Sequence, residues 1–209
     1  EEMPNHCSNY LTVVGDKDEL SKFVKSITTV SEEDGESVRI LKNLYPCPAE
    51  LYEATADFGK TKRTDLIEKY GANDWYDWCI THWGTKWGDY DTILQSEFTE
   101  GDTSVDLTFT TAWGPAVNGL VKVSEQFPNL AFVNSFEEGG MCFVGAVSII
   151  NGTIVHESEG EYPNIDTDDD GDCDWDVVMD NVQDVMDTCI GHCVLELPEN
   201  FKKLFNATV

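Results

Sequence analysis

The sequence predicts an α+β protein, and three observations carry that expectation. Short β-branched runs punctuated by Gly and Pro recur along the chain, two segments of helical period interrupt them, and the longest amphipathic segment follows the last run. With 209 residues, 41% of them hydrophobic and 11% aromatic, the chain can bury a substantial core.

The first strand is read at "NYLTVVG", 9–15, and a helix follows with Leu20, Phe23, Val24 and Ile27 on one face behind Asp16 as N-cap. "SVRILKNLYP", 37–46, reads as a second strand, closed where Pro46 and Pro48 forbid a continued ladder. Residues 49–90 read as an insertion packed over the core. It holds four of the six tryptophans, Trp75, Trp78, Trp83 and Trp87, with Gly84 and Gly88 breaking the helix that carries Trp75, Trp78 and Cys79 on one face. Two alternating runs around "EGDTS" make 92–113 a hairpin, and Val117, Leu120, Val121 and Phe127 mark a helix that starts near Pro115. Three strands complete the sheet, the last two joined at Asn151-Gly152, whose φ preferences suit a tight hairpin turn. After a loop through Gly160 and Pro163, helical period returns: Trp175, Val178, Met179, Val182, Val185, Met186, Cys189 and Ile190 form an apolar stripe, and Asp176, Asp180, Asp184 and Asp187 a separate acidic one.

Charge narrows the function classes. A formal charge of −27, from 40 acids and 13 bases, repels phosphate backbones and anionic membranes, so no direct nucleic-acid or membrane partner is expected. The charge is uneven, for residues 1–150 hold 25 acids and 11 bases, whereas the last 59 hold 15 acids against Lys202 and Lys203. Seven cysteines in no repeating frame, without a secretory leader pattern ahead of them, predict a reducing cytoplasm.

"MPNHCSNYLTVVGD", "YPCPAEL", "WGTKW", "FTTAWGPA" and "SEQFPNLAFVNSFEEGGMCFVG", in that order, resemble the YubB-type ferredoxin-like domain family carried by bacteriophages and plasmids, over roughly residues 3–150. The resemblance implies a ferredoxin-like sandwich, an antiparallel sheet with helices on one face, and a phage origin; it brings no established catalytic residues. The division it suggests is a ferredoxin-like domain over 3–157, with the insertion at about 49–90, and an acidic loop and amphipathic helix over 158–209 packed on it. The chain departs from the family at His6, where such sequences usually have Trp, and throughout the acidic segment. Read without the family, Trp83, Trp87 and Trp113, beside Gly84, Gly88 and Gly114, are indoles packed where backbones approach closely.

Four constellations could carry chemistry. Asp166, Asp168, Asp170, Gly171, Asp172 and Asp174 fit positions 1, 3, 5, 6, 7 and 9 of a calcium loop, with Asp166, Asp168, Asp170 and Asp172 as the principal ligands. Position 12 is Val177, so the bidentate acid is missing and calcium is the alternative rather than the leading expectation; no other cofactor is expected. Cys189, His192 and Cys193 could supply zinc ligands from one helical face, completed by His6 or Cys7, but Cys189 also belongs to the apolar stripe and a buried thiol is the simpler reading. Cys79, His82 and Asp77 could be drawn as a nucleophilic set, yet those positions converge poorly on a helix, and no enzyme is expected.

The fourth is the acidity itself. Carboxylates at i, i+4 or i, i+3 stand about 5–6 Å apart between Cβ atoms, a pitch that a phosphate-binding groove could accept. The leading expectation is a phage-encoded inhibitor in the host cytoplasm that imitates nucleic-acid phosphates to a host nucleic-acid-binding or antiviral defence protein with a basic groove. Its contact residues are Asp166, Asp168, Asp169, Asp170, Asp172, Asp174, Asp176, Asp180, Asp184 and Asp187. A calcium-dependent interaction module is the alternative, and acidity for solubility alone the bland one.

Overall fold

The computed structural model describes residues 5–31, 35–54, 62–165 and 173–207. β1 (His6–Gly15) leads into α1 (Lys17–Ile27), where the Asp16 carboxylate accepts from the Asp18 and Glu19 N–H groups as the N-cap reading requires. β2 (Thr28–Ser31) and β3 (Gly35–Val38) then pair with each other in a two-stranded sheet of their own. The second strand expected at 37–46 therefore stops at Val38 and does not join the main sheet; α2 (Leu41–Leu44) follows it. The reason lies far along the chain. The fully buried Asp89 carboxylate accepts from the Ile40 N–H at 2.9 Å and the Leu41 N–H at 2.7 Å, holding that backbone at a helix start rather than in a ladder.

α3 (Ala49–Glu53), α4 (Thr64–Tyr70) and α5 (Trp75–Trp83) continue the insertion. Asp74 caps the start of α5, and Gly84, at φ 81°, closes it in a left-handed turn that a side chain would strain. The main chain of the fold resumes with the hairpin β4 (Tyr90–Leu94) and β5 (Ser104–Ala112), α6 (Val117–Ser124), and the meander β6 (Leu130–Glu138), β7 (Phe143–Ile150) and β8 (Thr153–Glu161). Asn151 and Gly152, at φ 46° and 74°, make the turn their sequence predicts. α7 (Trp175–Leu195) and α8 (Glu199–Phe205) close the described chain.

The six-stranded sheet has the order β4-β5-β1-β6-β7-β8, with every neighbouring pair antiparallel. Taken alone, β1-α1-β4-β5-α6-β6 is the split β-α-β pair of a ferredoxin-like fold, with β1 and β5 at its centre, and β7 and β8 extend it on the β6 side. The insertion, β2 through α5, occupies the connection between α1 and β4.

Alternation along the strands sends two sets of side chains to two cores. Leu11, Phe132, Val147 and Ile149 meet Phe23, Leu120 and the insertion's Trp83 on the face covered by α1 and α6. Val14, Ala131, Val133 and Ala146 meet Cys189, Cys193, Phe201 and Phe205 on the other, under α7 and α8. A Cβ at Gly160 would collide with Val185 Cγ1, so this glycine is where α7 sits down on β8.

Asp89 also accepts from Thr92 Oγ1 at 2.7 Å, so one buried side chain ties the insertion to the edge strand. Asp89→Ala orphans the Ile40 and Leu41 N–H groups, and a loss of about 2–4 kcal/mol is expected from two unsatisfied buried donors. Urea unfolding checks it; a loss below about 1 kcal/mol would show that the insertion is held by apolar packing alone.

Candidate functional site

The acidic face is built by the way α7 docks. Val178, Val182, Met186, Cys189 and Cys193 are its buried side, placed over Val144, Ala146, Ala131 and Val133, and Asp174 opens the helix by accepting from the Asp176 and Val177 N–H groups. Asp176, Asp180, Asp184 and Asp187 are all exposed on the solvent side. At 1.5 Å per residue this row spans about 16 Å. Gln183 Nε2 donates to Asp187 Oδ1 at 2.7 Å, the one side-chain bond to the row among the described residues. The ion pairs of the described residues lie elsewhere, as in Lys69 with Glu50 or Lys202 with Glu199, and none engages these four carboxylates.

Such a row does not serve the helix. Asp174 and Asp176 face the positive end of the helix dipole, but Asp180, Asp184 and Asp187 lie in the helix interior, beyond the turn over which that end acts, and like charges at i, i+4 cost a few tenths of a kcal/mol each. The apolar stripe also differs from its expectation. Trp175 is 59% exposed because it lies a turn before the first buried contact, Val178 over Val144; Met179, 41% exposed, lies past that contact but is turned about 100° from Val178 around the helix. Val177 is exposed as well, but it lies on the other flank of the aspartate row, since two residues turn the helix by about 200°.

Of the remaining expected contacts, Asp166, Asp168, Asp169, Asp170 and Asp172 lie outside the described residues, and with them all four calcium ligands. A second acidic row went unremarked in the sequence. Glu157, Glu159 and Glu161 are exposed on β8, alternating with Ser158 and Gly160, which face α7. The E-S-E-G-E alternation was its signal, and β8 is a sheet edge, where charge also discourages strand addition.

The two cysteine constellations come apart. Cys189 and Cys193 are buried in the α7 core, and burial pushes the Cys193 thiol up to about 11; His192 is exposed, with Nδ1 3.1 Å from Ser158 Oγ. His6 is occupied with the Tyr90 hydroxyl at 2.7 Å, and burial pushes Cys7 up to about 12. No group of three or more His, Cys, Asp or Glu among the described residues could hold a metal ion. Cys79 and His82 also have separate partners. The Cys79 thiol is pushed up by its hydrogen bond with Cys47 and by burial, and that bond holds Cys47 down. His82 Nδ1 instead meets the Tyr45 hydroxyl at 2.6 Å, and its ring stacks on Trp78 at 4.4 Å between centroids.

Nor do the three indoles share one role. Trp83 is fully buried, with the Gly88 backbone against its ring and Nε1 donating to the Tyr45 carbonyl, but Trp87 is 37% exposed and Trp113 46%. Their place in motifs that alternate with glycine hid the difference.

Residues 82–174 match a family described as a ferredoxin-like domain in Api92-like proteins. Among solved structures the chain is similar to the crystal structure of a protein api92 from Yersinia pseudotuberculosis, at 11% identity and a TM-score of 0.48, covering 78% of this chain and 99% of that one. No curated protein matches. No helix among the described residues is long and apolar enough to cross a membrane.

Burial, and then the neighbouring Lys122 charge, pull His82 below the ordinary imidazole value of 6.5. The folded state thus prefers neutral His82: its contribution is fully present above the ordinary value and is lost as pH falls from there through the depressed one. A histidine NMR titration is expected to place the His82 midpoint below 6.5, and His82→Gln to flatten the stability curve on that acid limb. A midpoint at or above the ordinary value would contradict the burial seen here.

Proposed function

We propose that the protein is an interaction module whose α7 face binds a basic, nucleic-acid-handling protein in place of nucleic-acid phosphates. The observation that carries this reading is the row Asp176, Asp180, Asp184 and Asp187, exposed on a 21-residue helix whose other side is anchored in the core. The chain has no Lys or Arg between Lys122 and Lys202, so nothing basic in that stretch neutralises the row.

Trp175, Val177 and Met179 support it from another direction. Interfaces concentrate their energy in a few aromatic and Met anchors beside charge, and here Trp175 and Met179 are exposed on one flank of the row and Val177 on the other. The resemblance to phage- and plasmid-borne proteins fits a host target in the cytoplasm, such as a restriction or other defence enzyme with a basic groove. A partner whose Lys and Arg normally displace counterions from phosphate would meet about 16 Å of carboxylates without that release, and would associate by salt-sensitive steering.

The test is capture by tagged protein from a bacterial host lysate, with bound proteins challenged by duplex DNA and by added salt. Basic nucleic-acid enzymes released by both are expected. Replacing all four row aspartates by Asn is expected to preserve or raise thermal stability, since it relieves i, i+4 repulsion, and to cut recovery at least about tenfold. Equal recovery by this variant sinks the reading, and so does capture insensitive to DNA.

A further inference from the structure

Of four recesses formed by the described residues, one has cationic or donor groups and no carboxylate in its lining. It lies between α5, α6 and the β7–β8 turn, with a volume of about 490 Å³. His82, Lys122, Thr81 and Thr153 supply its polar groups, and Val121 and Ile154 its apolar ones. The other three recesses described each include an acid: Glu36 and Glu97, Asp16, or Asp187. In a chain of net charge −27 a lining without acids is the exception, and the Glu125 carboxylate, which stands against Gly152 at its rim, is paired with Lys122.

We propose that this recess binds a small organic anion, a phosphate monoester or a carboxylate, through His82 and Lys122, with the apolar body of the ligand against Val121 and Ile154. The imidazole is set for that role before any ligand arrives. Trp78 stacks under the ring at an interplanar angle of 13°, and the Tyr45 hydroxyl lies 2.6 Å from Nδ1. The Tyr45 hydroxyl and Nδ1 satisfy each other in either direction, so Nε2 is the nitrogen left for the ligand, and with Tyr45 as donor the imidazole proton resides there. Lys122 is paired with Glu125 at 2.6 Å in an exposed ion pair, which is weak and leaves two ammonium protons. Neutral His82, cationic Lys122 and two threonine hydroxyls thus form a donor set with apolar walls beside it, the composition of a small-molecule site. This site is independent of the acidic face: it lies on the α6 side of the sheet, opposite α7.

The titratable groups about it are Tyr45 at the end of α2, His82 on α5, and Lys122 and Glu125 on α6. The experiment follows the side-chain signals of the four histidines by NMR at constant ionic strength, while inorganic phosphate, phenyl phosphate and benzoate are each added to the full chain. Saturable shifts confined to His82 are expected, with phenyl phosphate or benzoate binding at least fivefold tighter than inorganic phosphate; the tighter of the two identifies the head group. Lys122→Met and His82→Gln are expected to weaken binding at least tenfold in proteins whose backbone spectra remain native, the latter followed by backbone signals around Lys122. Tyr45→Phe is expected to weaken it less and to change the tautomer-sensitive nitrogen shifts of His82. The proposal is overturned if no probe saturates, if all four histidines shift together, or if Lys122→Met binds as the parent does. Equal affinity for the three probes overturns the apolar half of the site.

Discussion

Everything in this structure follows from burying β6 on both faces. All nine of its residues are buried, in a sheet whose ferredoxin-like half carries its two crossover helices on one side only. Leu130 and Phe132 go to that side, and Ala131 and Val133 to the other, where small apolar side chains let a helix approach closely. Most of its polar side-chain groups are placed where partners reach them: Asn134 Nδ2 donates to Asn9 Oδ1, Glu137 accepts from Ser8 Oγ, and Glu138 accepts from the Gly140 and Met141 N–H groups, whereas Asn134 Oδ1 is buried without a partner among the described residues. α7 is therefore required by the core, and once its apolar side is committed to β6, β7 and β8, its aspartates can face only water. The acidic surface is rigid because of what lies beneath it.

The insertion obeys a different constraint. It has little sheet of its own to pack against and is held instead by a few long-range polar bonds, from Asp89 to the start of α2 and from Trp83 Nε1 to the Tyr45 carbonyl. Those two ties bring Tyr45 to α5, and only then can its hydroxyl reach His82. The geometry at the imidazole is a product of the tertiary connection rather than of local sequence, and the strand expected at 37–46 gave way to the same cause.

How much was legible in the sequence follows from this division. Local signals suffice where local forces decide: the Asp16 cap, the Asn151-Gly152 turn, the hairpin over 92–113, and the period of α7. Periodicity also separated the aspartate row from the buried face. It does not say where along the helix docking begins or how wide the docked face is, so it places inside both Trp175, ahead of the first buried contact, and Met179, at the edge of the buried face. Nor does it separate Trp83 from Trp87 and Trp113, since each precedes a glycine and the three differ in whether the tertiary fold packs the ring inside. In sequence His82 stands three residues from Cys79 on one helix, while its structural partner stands 37 residues away.

The two candidate sites also differ in the range over which they act. The aspartate row is one sign of charge on an exposed face, so its influence extends into solvent and decays over about 8 Å at physiological salt. The recess lies across the sheet, separated from α7 by two packed layers, roughly 20 Å. That is more than two screening lengths, so at physiological salt the recess responds to Lys122 and Glu125 beside it rather than to the distant aspartates. Lowering the salt lengthens the reach to about 30 Å at 0.01 M, where the acidic field arrives and opposes any anion entering the recess. A chain this acidic can hold a small anion only where its own fold supplies distance and a local cation, and the face opposite α7 supplies both.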